Sequence, residues 1–420
     1  MSRAATVASA APTRLLALLL ASALLAMGVL TAVAAADEEP DGDESGNDQH
    51  DEEDEETEED EETEKDEEDE EANGDEEDGA DEDDEAEAEA EVEVVRISGP
   101  NRFATSAALS AHLHEDADVV YIATSHTYPD SLTGAVAAAN DEAPLLLTPP
   151  GTLQGPIEAE LERLDPDEVR VLGGEGAVAR PVIDDIAQVT RSEVEVERVA
   201  GDDRYHTAVM ISQELFGDDA EDDEDGDDNG DDGEGNGDES LADTVYLATG
   251  EGYADALVGA PAAVADEAPL LLTKTDELSE VTAGELDRLD PDELIVLGGD
   301  SALSEDVADE AADVADAEVE RLEGEDRFGT AVAVSRHLVE EDGEAESVTM
   351  ATGVGWADAV GGAAAAGAEG EPALLVTPGQ VPDEVADELQ RLDPQLVRVL
   401  GGPSAITTRV KDAITDVLDE

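Results

Sequence analysis

Hydrophobic residues fall along this chain in two alternating patterns. Short apolar runs at 94–98, 119–123, 145–148 and 169–172 are separated by stretches at 106–113, 130–140, 157–164 and 178–186, where apolar positions recur every three or four residues. The runs predict strands buried on both faces, and the stretches between them predict the helices that cover them. Short apolar strands alternating with helices define an α/β class built on parallel sheets flanked by helices.

The alternation occurs three times. Decapeptides beginning at Arg96, Arg198 and Arg321 read RISGPNRFAT, RVAGDDRYHT and RLEGEDRFGT, sharing Arg, Gly, Arg, an aromatic and Thr in register. Each is followed by ATSHTYPDSLTGA, ATGEGYADALVGA or ATGVGWADAVGGA, then PLLLT or ALLVT, then an LDP segment ending in VLGG. From Asp130 to Leu172, Asp255 to Leu297 and Asp358 to Leu400 the interval is 42 residues each time. One interval kept three times reports one duplicated unit. The repeats are assigned to 92–191, 192–316 and 317–420, the second carrying an insertion at 218–239 that lengthens its period. Alanine-rich helices such as 135–139 and 363–366 let helices lie close to the sheets.

Charge changes this picture. Of 420 residues, 115 are Asp or Glu and 20 are Lys or Arg, a formal net charge of −95. A polyphosphate partner needs a basic footprint, so nucleic-acid binding is excluded. Residues 37–90 hold 36 acids and one Lys, and 218–239 hold 14 acids and no base. Such tracts cannot bury enough apolar surface to offset ordering entropy and are expected to be disordered. The repeats themselves stay acidic with few lysines, which resembles proteins of salt-loving microbes, where salt screens carboxylate repulsion. Aromatics make up only 2% of the chain, so the cores must be built from Ala, Val and Leu. There is no cysteine, which excludes disulfides, thiol catalysis and thiolate metal sites. Arg3 and Arg14 precede an apolar run at 15–36 that ends in small residues. That reads as an export signal, placing the chain outside the cell at its surface; left uncut, the run is long enough to anchor it in the membrane.

The candidate chemistry repeats with the motifs. Arg96 and Arg102, Arg198 and Arg204, and Arg321 and Arg327 recur in a chain poor in bases. A guanidinium grips carboxylate, phosphate or sulfate bidentately; the alternative is pairing with acids at module interfaces or near helix starts. Asn101, Asp203 and Asp326 precede helices and read as N-caps. Asp130, Asp255 and Asp358 each follow a strand, where ligands of open parallel sheets bind, although capping of the next helix accounts for the same residue. Tyr128, Tyr253 and Trp356, two residues earlier, are placed either to stack on a sugar ring or to pack the loop. The Gly-Gly pairs that end each VLGG fit tight strand-to-helix turns better than phosphate loops. Asp225 opens a calcium-loop pattern whose twelfth position is Asn236 instead of Glu, and the six histidines do not converge. No cofactor and no specific metal site is expected, only weak Mg or Ca binding along the acidic tracts.

Taken together, R-x-x-G-x-[ND]-R-[FY]-x-T, the A-T-x-x-x-x-x-D stretch, the L-L-L-T strand and V-L-G-G resemble the cell wall binding repeat 2 family. The resemblance spans essentially everything after the acidic tract. It implies three α/β modules around a pseudo-three-fold axis and non-covalent attachment to a cell-envelope polymer or glycan. Bacterial members attach to anionic wall polymers, often beside a separate effector domain; this chain shows no such domain, and its acidic modules call for salt or bridging cations. The expected function is non-catalytic attachment of an exported protein to the envelope. The alternatives are a self-assembling surface-layer component and an α/β hydrolase, the latter disfavoured because all three units keep every motif.

Overall fold

The structure, a computed structural model, describes residues 92–191, 194–217, 240–339 and 343–419. The expected export signal, the acidic tract and the acidic insertion with its calcium-like pattern lie outside the described residues. The first repeat forms β1 (Glu93–Ile97), α1 (Arg102–Leu113), β2 (Val119–Thr124), α2 (Pro129–Asn140), β3 (Leu145–Thr148), α3 (Gly155–Leu164), β4 (Glu168–Leu172) and α4 (Arg180–Val189). The second forms β5 (Glu195–Val199), α5 (Arg204–Leu215), β6 (Thr244–Thr249), α6 (Ala254–Ala265), β7 (Leu270–Thr273), α7 (Glu280–Leu289), β8 (Glu293–Leu297) and α8 (Glu305–Ala315). The third forms β9 (Glu318–Leu322), α9 (Arg327–Leu338), β10 (Ser347–Thr352), α10 (Val360–Glu369), β11 (Ala373–Val376), α11 (Asp383–Leu392), β12 (Leu396–Leu400) and α12 (Thr408–Leu418).

These strands make three four-stranded, wholly parallel sheets, ordered β3-β2-β4-β5, β7-β6-β8-β9 and β11-β10-β12-β1. The short strands β3, β7 and β11 are buried at every position, as continuous apolar runs require. One expectation from the sequence needs correcting. The strand near 94–98 is not the fourth strand of the first repeat's sheet; it pairs with β12 of the third. Likewise β5 completes the first sheet and β9 the second. Ile97 pairs with Leu400 as Val199 pairs with Leu172 and Leu322 with Leu297, so one register serves all three junctions. The reason is connectivity: after β4 the chain crosses through α4 and lays β5 on the open edge beside β4, and β1 supplies the equivalent strand beside β12.

Helices α2, α6 and α10 each contact the other two. Their Ala-rich sequences leave almost no side chain exposed. At one end Gly367 lies so close to its neighbours that a Cβ there would stand 3.1 Å from both Ala139 and Val264. At the other end Tyr128 packs against Tyr253 and Trp356, so three equivalent helices converge on a common axis. One hydrophobic core runs through this centre and draws on all three repeats.

A second repeated device ties the outer helices together. Glu160, Glu285 and Glu388 are buried, on α3, α7 and α11. Each accepts a hydrogen bond from a serine of the first helix of its repeat, α1, α5 or α9: Ser110 at 2.5 Å, Ser212 at 2.6 Å and Ser335 at 2.7 Å. Each is also gripped by an arginine three residues on, Arg163, Arg288 or Arg391, with Nη2 to Oε1 at 2.6–2.7 Å. Those arginines reach on to backbone carbonyls at Glu115, Phe216 and Gly343. A buried carboxylate is tolerable because it is paired and hydrogen-bonded; removing one partner of such a pair costs about 3–5 kcal/mol.

The third repeat departs from the other two where Glu371 replaces Ala143 and Ala268. Burial pushes its carboxyl up to about 7, with the Glu369 and Glu346 carboxylates adding to the rise, against a Ser347 backbone hydrogen bond and Arg398. Between the ordinary carboxylate range and that value the folded chain holds the extra proton, so stability falls as pH rises through this window. Glu371→Ala is expected to flatten the slope and to stabilise the chain at about pH 8 by about 1 kcal/mol, after discounting for partial exposure. Thermal unfolding of both proteins at acidic and alkaline pH in one salt checks this; an unchanged slope refutes it.

Candidate functional site

Each decapeptide is a strand–turn–helix connector that straddles two sheets. Its strand (β1, β5 or β9) edges the preceding sheet, while its helix (α1, α5 or α9) packs on β3, β7 or β11 of its own. The first arginine of each connector is spent on the preceding turn. Arg96 donates to the Gly401 carbonyl at 2.7 Å, Arg198 to the Gly173 carbonyl and at 2.7 Å to that of Val178, and Arg321 to Gly298 at 2.7 Å and Leu303 at 3.0 Å. Asn101, Asp203 and Asp326 are the N-caps read from the sequence, each accepting from two backbone N–H groups of its helix.

Asp130, Asp255 and Asp358 do not cap helices. The N-cap positions of α2, α6 and α10 are Tyr128, Tyr253 and Ala359, and none makes a side-chain cap. The three carboxylates lie instead over the Gly-Gly turns, where Gly173, Gly298 and Gly401 take φ of 85°, 87° and 92°. A Cβ on Gly298 would stand 2.8 Å from Asp255 Oδ2, so glycine is required there both for its backbone angle and for the approach of the carboxylate. Burial pushes all three carboxyls up, offset by a hydrogen bond from a threonine and a nearby arginine of the following connector. These are Thr207 and Arg204 for Asp130, Thr330 and Arg327 for Asp255, and Thr105 and Arg102 for Asp358. The third repeat thus reaches back to the first, and the contacts close a ring. Asp358 Oδ1 is buried with no hydrogen-bond partner.

The second arginines are exposed. Arg102 donates to the Ser125 carbonyl at 3.0 Å, and Arg204 and Arg327 to the Gly250 and Gly353 carbonyls at 2.6 Å. These bonds aim each guanidinium along the mouth of a junction and leave other donors free. Tyr128 meets both Tyr253 and Trp356, with ring centroids at 5.8 Å and 6.3 Å. The Tyr253 hydroxyl also donates to the Gly353 carbonyl at 2.8 Å. They are half-buried around the axis, packing the loops between the clefts.

At the first junction the arrangement opens a cleft of about 360 Å³. Its walls come from the loop after β2 and the first turn of α2 (Thr127, Asp130), the turn after β4 (Gly174, Gly176, Ala177) and the connector after β5 (Gly201 to Arg204, with Thr207). Strands β2 and β4 are neighbours whose connections leave in opposite directions, so the cleft sits at the topological switch point beyond the strand ends. A guanidinium, carboxylates and a hydroxyl around one opening suit hydrogen bonding to a polar ligand. The sequence reading found the arginines and the aspartates but missed the threonine that joins them across repeats. Its signal was present: Thr closes every decapeptide in register.

Three parallel α/β modules, closed into a ring by a repeated connector with a polar cleft at the junction, define a tandem-repeat binding scaffold. The cell wall binding domain 2 (CWB2) family matches at residues 96–183, 198–308 and 321–411, and the chain belongs to that family. Among curated proteins it is similar to the amidase enhancer of Bacillus subtilis, 24% identical over 321 residues, or 76% of this chain and 40% of that protein. It is also similar to the N-acetylmuramoyl-L-alanine amidase LytC of the same organism, 27% identical over 215 residues, or 51% of this chain and 38% of that one. The chain therefore spans well under half the length of either. Among solved structures, Cwp6 from Clostridium difficile superposes with a TM-score of 0.67 at 22% identity, covering 78% of this chain and 48% of that one. Cwp8 from the same organism gives 0.63 at 23% identity, covering 78% and 52%. These likenesses bear out the fold of three parallel α/β modules expected from the repeats.

The junction geometry separates the two glycines of each pair. Gly173→Ala would force a Cβ into the Asp130 carboxylate at positive φ and is expected to destabilise the chain by about 2–4 kcal/mol. Gly174→Ala, with open space at the same point, is expected to stay within about 0.5 kcal/mol. Denaturant unfolding of both variants at molar KCl checks the contrast, and equal effects would refute it.

Proposed function

We propose that this chain is an exported, non-catalytic surface protein that attaches to a cell-envelope polymer or glycan through the clefts between its repeats. The observation that carries this reading is where the unpaired bases lie. Arg163, Arg170, Arg180, Arg191, Lys274, Arg288, Arg336, Arg391 and Arg398 each have a carboxylate within ion-pair distance. Among the described residues the six connector arginines have none, nor do Arg409 and Lys411 on α12, but the connector arginines alone recur in all three repeats of a chain of net charge −95, and Arg102, Arg204 and Arg327 are exposed at the junctions. An exposed guanidinium that makes no direct ion pair has donors available to a ligand's oxygens.

Family membership supports a wall polymer as the partner, and the names of the curated relatives tie the repeat to proteins of wall metabolism. The export signal supports secretion, the acidic tract serves as a spacer, and the acidic surface fits a salty medium that screens repulsion from the envelope. Sedimentation of the purified protein with envelope fractions at molar KCl, with and without Mg, tests the reading. Attachment is expected for the unaltered chain and at least about tenfold weaker attachment for the triple variant Arg102→Gln, Arg204→Gln, Arg327→Gln. Failure of the unaltered chain to sediment with any envelope material would sink it.

A further inference from the structure

The three junctions share their connector motif but differ above the Gly-Gly turn. The residue before the connector glycine is Ser98 at the third junction, Ala200 at the first and Glu323 at the second. A Cβ built on Gly299 would stand 2.9 Å from Glu323 Oε2, so this carboxylate lies across the second turn. The same point above Gly174 and Gly402 is open, with nothing within 4 Å. The first cleft, beside Ala200, is the opening of about 360 Å³. Glu325 and Asp326 lie in the second connector, and Glu384 Oε2 approaches it, 3.3 Å from where a Gly329 Cβ would stand. The turn at the second junction is thus overlain by a carboxylate, among further acids.

We propose that Glu323 is a built-in occupant of the second cleft, its carboxylate taking the place over the Gly298-Gly299 turn that a ligand oxygen takes at the other two. The polymer is then gripped at the first and third junctions. This rests on the attachment reading above and names its ligand class: an uncharged, hydroxyl-rich saccharide. In the first cleft Arg204 donates to sugar oxygens, while Asp130, Asp202 and Asp203 accept from sugar hydroxyls. Three carboxylates against one guanidinium repel a second anion, whereas hydroxyl groups satisfy both kinds of partner. At the third junction Asp358 and Arg102 repeat the Asp130 and Arg204 arrangement, and the space over Gly402 is open.

The test moves the occupant. Ala200→Glu places a carboxylate over Gly174, in a connector whose counterpart already accommodates glutamate, and Glu323→Ala clears the second turn. Both are made in the full chain, confirmed folded by their melting curves, and assayed for binding to purified envelope sheets of the source cells at molar KCl. Ala200→Glu is expected to weaken binding about tenfold and Glu323→Ala to tighten it about threefold. No change in Glu323→Ala overturns the proposal, whatever the behaviour of Ala200→Glu. The same sheets, stripped of phosphodiester-linked groups with hydrofluoric acid, test the ligand class: retained binding supports an uncharged saccharide, and loss of binding overturns it. Binding of the unaltered chain to intact sheets alone leaves the attachment reading standing; binding to neither preparation removes both.

Discussion

The contact on which the architecture depends is a carboxylate shared between two repeats. Asp130, Asp255 and Asp358 leave one repeat at the start of a central helix, press on the glycine turn of that repeat, and bind the threonine of the next connector. This explains why the interval from Asp to the VLGG leucine is 42 residues three times over. The carboxylate and the turn must meet, so the strands and helices between them cannot change length. The acidic insertion at 218–239 falls between α5 and β6, outside that interval, where added length leaves the contact undisturbed. Burying three carboxylates raises their pKa, and the hydroxyl and guanidinium of the next repeat offset part of that cost, so each repeat is completed by its neighbour.

Ring closure follows from the same connector. In an open solenoid the terminal repeats need special caps, because each unit buries a face against the next. Here β1 covers the edge of β12, so the last sheet ends as the others do. The central helices make the closure tight. Alanine and glycine let α2, α6 and α10 approach until Gly367 touches both partners, and a chain with so few aromatics gains its packing from close backbones instead of large side chains.

Much of this was legible in the sequence because it is local. Apolar runs gave the strands, spacing of three and four gave the helices, and Asn101, Asp203 and Asp326 announced their caps. What was not legible depends on partners far along the chain. β1, β5 and β9 carry the same pattern, and nothing in a strand says which sheet edge it will join. Asp130 sits where a capping residue would sit, and only the fold reveals that its partner, Thr207, belongs to the next repeat. The buried Glu–Arg pairs were written in the recurrent E-L-x-R-L segments, but that spacing also describes any exposed helical ion pair. The difference among Ser98, Ala200 and Glu323 was visible too, without meaning until Glu323 was found lying over Gly299.

Net charge and recognition then belong to different length scales. A charge of −95 produces a field that would keep polyanions away at low ionic strength. At about 1 M salt that field decays over about 3 Å, roughly the length of one hydrogen bond. Under such screening the distant carboxylates of the surface and the acidic tracts no longer decide what binds. Groups in direct contact do, and around each glycine turn these are few. The connectors keep Arg, Gly, Arg, an aromatic and Thr and differ between them, among other places at Ser98, Ala200 and Glu323 before the glycine. A ring built from one repeated contact therefore has three equivalent frames whose surface chemistry can vary from junction to junction without disturbing the carboxylate that holds the ring together.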